Sequence, residues 1–317
     1  VAFLIVSPLS ITVGEEVIGG VIPTTYMGSQ GMFVALILCY LVAKVYCKIL
    51  SSKLKIKLPD SVPPMVSSSF ESLIPVIITL VLVCSINYCF TLTSFGNIHA
   101  LVNEIIQKPL LLIGTGLPAL LISQGLAQLL WFFGLHGDQI VGSVMDPILQ
   151  TAGMENLSAY TAGDAVPYII TDQFRALFVM IAFMSLVIAI LIVSKSNRLK
   201  GVGKVAVLPA TFCISEPVVF GAPVVMNAML FIPWVLSRPV FGLITWLFMK
   251  FGLCPYPTGV AIPWTTPPVL SGFLATNSIM GAVVQIICLA IGVLMFIPFV
   301  KMIDKTYHQE EIKTKEQ

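Results

Sequence analysis

Phe132-Phe133-Gly134-Leu135-His136-Gly137-Asp138 and Ile214-Ser215-Glu216-Pro217-Val218-Val219-Phe220-Gly221 each strand one titratable side chain in apolar sequence, beside glycine or proline that stops a helix from running straight through. A bilayer seldom holds such groups without a use. Interrupted helices free backbone carbonyls and amides next to a proton-exchanging side chain, a combination that can bind a polar solute at membrane depth.

The surroundings fix the class. Continuous apolar runs lie at about 28–50, 71–95, 110–133, 174–194, 227–250 and 276–300, each near the ~20 residues a helix needs to cross hydrocarbon. Hydrophobic residues make up 57% of the 317-residue chain and charged residues 10%, against roughly a quarter charged in a soluble domain. The sequence therefore predicts an all-α polytopic membrane protein, a transmembrane helix bundle passing several times through the lipid bilayer.

Three stretches between the runs are apolar but broken: 137–170, rich in Gly, Asp and Pro, then 209–226, and 254–275 with five prolines. They suit re-entrant hairpins shielded by neighbouring helices. Asn97 to Lys108 alternates polar and apolar residues at helical spacing before Pro109, and Leu199 to Leu208 is similar; both predict short amphipathic helices along the interface. Basic residues gather at Lys44, Lys48, Lys53, Lys55 and Lys57, at Lys195, Arg198, Lys200 and Lys204, and at Lys301 and Lys305. By the positive-inside rule these regions face the cytoplasm. Residues 304–317 are charged without apolar periodicity and read as a short solvated cytoplasmic tail. Val1 is not an initiator Met, and Val1 to Ile11 reads as the end of a hydrophobic segment without a signal peptide's basic start, so the beginning of the chain looks truncated.

Several functions lack their parts. A net charge of +2 gives no footprint for nucleic acid. The seven cysteines form no Cys-x-x-Cys pair and read as reduced thiols packed as small hydrophobes. There is no phosphate-binding Gly-x-x-x-x-Gly-Lys loop, zinc-protease His-Glu-x-x-His or serine nucleophile elbow, so neither a cofactor nor a metal is expected.

Glu216 and His136 remain the leading candidates, with no Lys or Arg near Glu216 in the sequence. Gln139, Asn227 and Trp264 supply the donor, acceptor and flat stacking face that a pyranose site needs. Asp138, Asp146, Asp164 and Asp172 read as ordinary solvated loop carboxylates. A proton-coupled secondary transporter, with Glu216 and His136 as its relay, is the alternative to a sugar site that works without an ion gradient.

Four separated stretches, taken in order, carry a resemblance: Pro59-Asp60-Ser61-Val62-Pro63-Pro64 with Ser69-Phe70, Phe133-Gly134-Leu135-His136-Gly137, Ser215-Glu216-Pro217-Val218-Val219-Phe220-Gly221-Ala222-Pro223, and Pro263-Trp264-Thr265-Thr266-Pro267-Pro268. Across essentially its whole length the chain resembles enzyme IIC, the membrane subunit, of the lactose/cellobiose/chitobiose branch of the bacterial sugar phosphotransferase system. The resemblance implies a homodimer in the bacterial cell membrane. Each subunit would have an interface half, here 1–96 and short of the family's first crossings, and a transport half, here 97–303. A β-linked disaccharide such as cellobiose or diacetylchitobiose would bind between hairpins, His136 hydrogen-bonding the sugar and Glu216 acting as the base at the hydroxyl that receives phosphate. The phosphoryl donor would be a separate phosphorylated IIB subunit, and none of the cysteines here would carry phosphate. Ser215 stands where the family commonly has Asn, which bears on sugar preference.

Overall fold

The computed structural model describes residues 1–13, 16–27, 29–54, 56, 58–59 and 62–316. Lys55 and Lys57 of the first basic cluster, and Asp60 and Ser61 of the Pro59–Pro64 motif, lie outside the described residues. The chain forms two compact units, Val1–Leu110 and Leu111–Gln317.

In the first unit, α1 (Ala2–Val6) leads into a two-stranded antiparallel hairpin, β1 (Ser10–Val13) and β2 (Glu16–Gly19), with Ser10 opposite Gly19. The sequence reading expected only the end of a hydrophobic segment there. Two long helices follow, α2 (Ser29–Leu50) and α3 (Pro64–Thr91). Proline at the first helical position starts α3 without loss, since that N–H has no intrahelical partner. Leu36, Tyr40, Leu73, Ile77, Val81 and Tyr88 are exposed on these helices, as suits helices whose outer solvent is lipid.

The stretch from Asn97 is helical, as its spacing predicts. Asn97 caps α4 (Ile98–Val102), accepting from the Ala100 amide at 2.9 Å, and a π-helical turn at Asn103–Gln107 carries the chain into α5 (Lys108–Gly114). Ile98, His99, Val102 and Gln107 are buried. The His99 Nε2 is 3.0 Å from the Ser7 hydroxyl, and its ring packs against Tyr26 at 4.4 Å and edge-on to Phe3 at 5.3 Å. These contacts tie His99 to α1 and to Tyr26 within the first unit.

The second unit contains α6 (Leu117–Phe132), α7 (Gly137–Ala162), a π-helical turn at Phe174–Val179 continuing into α8 (Phe183–Val193), α9 (Asn197–Thr211), α10 (Glu216–Gly221), α11 (Ala228–Lys250), α12 (Leu270–Thr276) and α13 (Ile279–Glu316). Among the described residues, five helical stretches are long and apolar enough to cross a membrane: 31–50, 64–91, 174–193, 228–250 and 279–313. The pair 98–114 and 117–132, bent by 73° at the break between them, passes the same test together, and the predicted run at 110–133 falls on its second part.

Within the broken stretch 137–170, residues 137–162 form one continuous helix, with Val141, Ile148, Leu149, Ala152 and Asn156 recurring on one buried face, and 163–170 follow without helix; the Gly, Asp and Pro content masks the helical period. The charged end is helical, and most of its side chains from Lys305 on are exposed. It continues α13, and Asp304 is buried, accepting from the Lys195 amide (2.7 Å), the Ser196 amide (2.9 Å) and the Ser196 hydroxyl (2.6 Å). One turn and more beyond, Glu311 accepts from the amides of Asn197 and Arg198, and the Arg198 guanidinium lies 4.1 Å from the Tyr307 ring centre.

Irregular backbone needs partners at membrane depth, and buried amide side chains supply them. Asn156 donates to the carbonyls of Tyr168 (2.7 Å) and Pro257 (2.8 Å) and accepts from the Tyr168 amide (2.9 Å). Gln285 of α13 accepts from the amides of Val269 (2.5 Å) and Gly272 (3.0 Å) and donates to the Leu177 carbonyl (2.7 Å) and the Ser271 hydroxyl (2.9 Å). Val269 has φ +77°, a costly conformation for a β-branched residue, and Gln285 is what secures it. Gln285→Ala should therefore destabilise the purified protein by at least about 2 kcal/mol, since each buried group left unpaired costs ~1–3 kcal/mol; thermal unfolding in detergent would read this as a lowered midpoint.

Candidate functional site

His136 owes its place to the two glycines beside it. Gly134 turns the chain out of α6 at φ +79°, and the Leu135 amide closes back on the Leu130 carbonyl at 3.0 Å. Gly137 opens α7 in direct apposition to the Ala127 carbonyl of α6, where a Cβ would collide with backbone. Between them His136 caps α7, its Nδ1 accepting from the Gln139 amide at 3.4 Å, and its ring lies 4.5 Å from that of Trp131. A neutral imidazole that accepts through Nδ1 carries its proton on Nε2, which is then the available donor.

Glu216 is the first residue of α10, followed by Pro217. The turn that delivers it leaves α9 through Cys213, whose φ is +62° and whose thiol faces the Thr266 carbonyl at 3.6 Å. That contact joins the Glu216 turn to the proline-rich bend carrying Trp264.

His136, Gln139, Glu216 and Trp264 line a single cavity of about 450 Å³ within the second unit, inside the ~300–1,000 Å³ range of small-molecule sites. Glu216 is exposed to that space rather than enclosed in apolar packing. Asn227 is not part of the lining: it caps α11, its side-chain oxygen accepting from the Met229 amide at 3.1 Å.

The structure adds four charged residues to the cavity wall. Asp138 is paired with Arg238 of α11, in which Arg238 Nη2 donates to Asp138 Oδ2 at 3.0 Å and Nη1 to Oδ1. Trp131 Nε1 donates to the same Asp138 Oδ2 at 2.9 Å. Asp146, two turns further along α7, is paired with Arg175. Neither aspartate is a plain solvated acid. A signal for the arginines was present: Arg238 interrupts the apolar run 227–250 and Arg175 opens the run at 174, and an ionisable residue inside a span marks a functional interior by default. Each guanidinium is matched by one carboxylate, so Glu216 is the acid at the cavity that, among the described residues, pairs with no cation.

Residues 1–237 match the family model "Phosphotransferase system, EIIC". The chain belongs to the EIIC family. The EIIC chain is 43% identical over 311 residues to the oligo-β-mannoside-specific EIIC component of Bacillus subtilis, covering 96% of this chain and 70% of that protein. It is 38% identical over 323 residues to the cellobiose-specific EIIC component of Geobacillus stearothermophilus, covering 98% and 72%. The crystal structure of ChbC, the IIC component of the N,N'-diacetylchitobiose-specific phosphotransferase system, superposes with a TM-score of 0.94 at 36% identity, covering 98% of this chain and 74% of ChbC. The EIIC chain is thus an integral membrane sugar permease of a phosphotransferase system, and the helical membrane fold read from its sequence is the fold of that family.

The geometry separates two asparagine and glycine positions by experiment. Gly137→Ala in the EIIC chain should force α7 away from α6 and lower sugar uptake by at least about tenfold. Asn227→Ala should cost about 1 kcal/mol through loss of a helix cap while leaving uptake within about twofold of the parent, as measured with labelled sugar in vesicles.

Proposed function

We propose that the EIIC chain binds a β-linked disaccharide of the cellobiose and diacetylchitobiose class in the 450 Å³ cavity and carries it inward for phosphorylation by a phosphorylated IIB partner. The observation that supports this reading most directly is the convergence, on that one cavity, of His136, Gln139, Glu216 and Trp264 from separate segments of the chain. Names of the similar proteins point to the same sugars: cellobiose, oligo-β-mannoside and N,N'-diacetylchitobiose.

The roles follow from the chemistry of each group. His136 donates through Nε2 to a sugar oxygen, Gln139 offers both donor and acceptor, and Trp264 presents an exposed ring on which the apolar face of a pyranose stacks. Glu216, paired with no cation among the described residues, accepts the proton of the 6-hydroxyl as that oxygen attacks phosphorus. The phosphorus–sulfur bond of the partner's phosphocysteine breaks and the thiolate leaves on the partner. Phosphorylation traps the sugar, so exchange of the site between two faces needs no ion gradient. We also assign residues 1–96 to the surface joining two subunits in a homodimer held in the lipid bilayer, with part of the exposed apolar surface of α2 and α3 facing the second subunit and the rest facing lipid.

In vesicles supplied with phosphoenolpyruvate, the soluble phosphotransferase proteins and the IIB partner, labelled cellobiose should accumulate as its 6-phosphate, with or without a protonophore. Free sugar whose uptake collapses with the proton gradient would overturn the proposal. Glu216→Gln should retain sugar binding while phosphorylation falls about a hundredfold or more, the usual scale of general base catalysis; an unchanged rate removes Glu216 from the mechanism. His136→Ala should weaken binding roughly ten- to a hundred-fold, the equivalent of one ~1–3 kcal/mol buried hydrogen bond.

A further inference from the structure

Arg238 lies in the middle of a membrane-spanning helix with its side chain 2% exposed, and Asp138 is the carboxylate that neutralises it. Neutralisation alone needs only the two guanidinium contacts. Asp138 does more: its Oδ2 takes a third donor, the indole Nε1 of Trp131. The indole so held is itself 3% exposed and forms the face against which the His136 ring packs at 4.5 Å, tilted by 46°. The other constraint on that ring is the cap from the Gln139 amide, a bond of 3.4 Å, which is near the long limit for such contacts. One weak bond at an edge does not fix an exposed imidazole, whereas a wall against its face does.

We infer that Asp138 and Arg238 are positioning residues for His136, acting through Trp131: the buried ion pair fixes the indole, and the indole fixes the rotamer in which His136 Nε2 meets the sugar. This extends the proposed sugar site and rests on it. The sequence distance supports a dedicated arrangement, since Arg238 comes from a helix 100 residues beyond Asp138, while Trp131, His136 and Asp138 occupy one turn-and-cap motif. A mere clasp between α7 and α11 would act on affinity independently of His136; a positioning device acts only while His136 is there to be positioned.

A double-mutant cycle separates these cases. Labelled cellobiose binding is measured on the full chain in membranes for Asp138→Asn, His136→Ala and the double variant, with thermal midpoints in detergent as a fold control. The expected result is an affinity loss of roughly tenfold for Asp138→Asn that shrinks to less than about twofold in the His136→Ala background. Trp131→Phe, which keeps an aromatic side chain but a smaller one and removes the indole donor, should show a loss with the same dependence on His136, and it carries the test if Asp138→Asn fails to fold. Losses of equal size with and without His136, or parent affinity in both Asp138→Asn and Trp131→Phe, would overturn the inference while leaving the sugar site intact. Absence of cellobiose binding in the parent protein would overturn the sugar-site reading and this inference with it.

Discussion

The cost of placing polar groups where water is scarce governs the second unit. A guanidinium without a counter-charge in a membrane-spanning helix is penalised by several kcal/mol, and Arg238 meets that demand by drawing Asp138, and with it the start of α7, against α11. One turn along α11, neutral bonds join it to α6: Gln128 donates to the Trp234 carbonyl and the Trp234 indole donates to the Gln128 carbonyl, each at 3.1 Å. Lipid supplies no hydrophobic drive to hold helices together, so polar contacts of this kind specify which faces meet. Once α6, α7 and α11 are set, the cavity wall carrying His136 is set as well.

The broken elements obey the same rule. Residues 254–269 have no regular hydrogen bonding of their own, yet their backbone groups are met by Asn156, Gln173 and Gln285. Proline makes regular structure impossible there, and amide side chains from neighbouring helices make irregular structure affordable. The bend that exposes Trp264 is thus held by residues far from it in sequence, which is how a site can be rigid without sitting on a helix.

Much of this was legible beforehand because hydrocarbon imposes length and composition on every crossing. The six apolar runs correspond to the five spans and one bent pair, and His136 and Glu216 were visible as titratable residues in the wrong surroundings. What stayed hidden depends on three-dimensional pairing. Asp138 and Asp146 look like loop acids until Arg238 and Arg175 are brought opposite them, and Asn227 looks like a ligand until its oxygen is found capping α11. The helix at 137–162 was obscured because glycines that permit close approach to α6 resemble glycines that break structure; Gly137 does the former. The amphipathic pattern at 97–108 describes a helix correctly, with Glu104 and Lys108 exposed, but two of its polar residues, His99 and Gln107, are buried in protein.

The charged end of α13 has a mechanical meaning that its composition conceals. Asp304 and Glu311 take up the amides of residues 195–198, the very donors left open where α9 begins. The last turns of the chain therefore serve as a calliper on α9, setting where that helix starts and, through its length, where the turn after it releases Glu216. An acidic side chain near the end of α13 thus helps to register Glu216 some ninety residues earlier, and shortening the chain at the point where it turns hydrophilic would loosen the cavity wall from a distance.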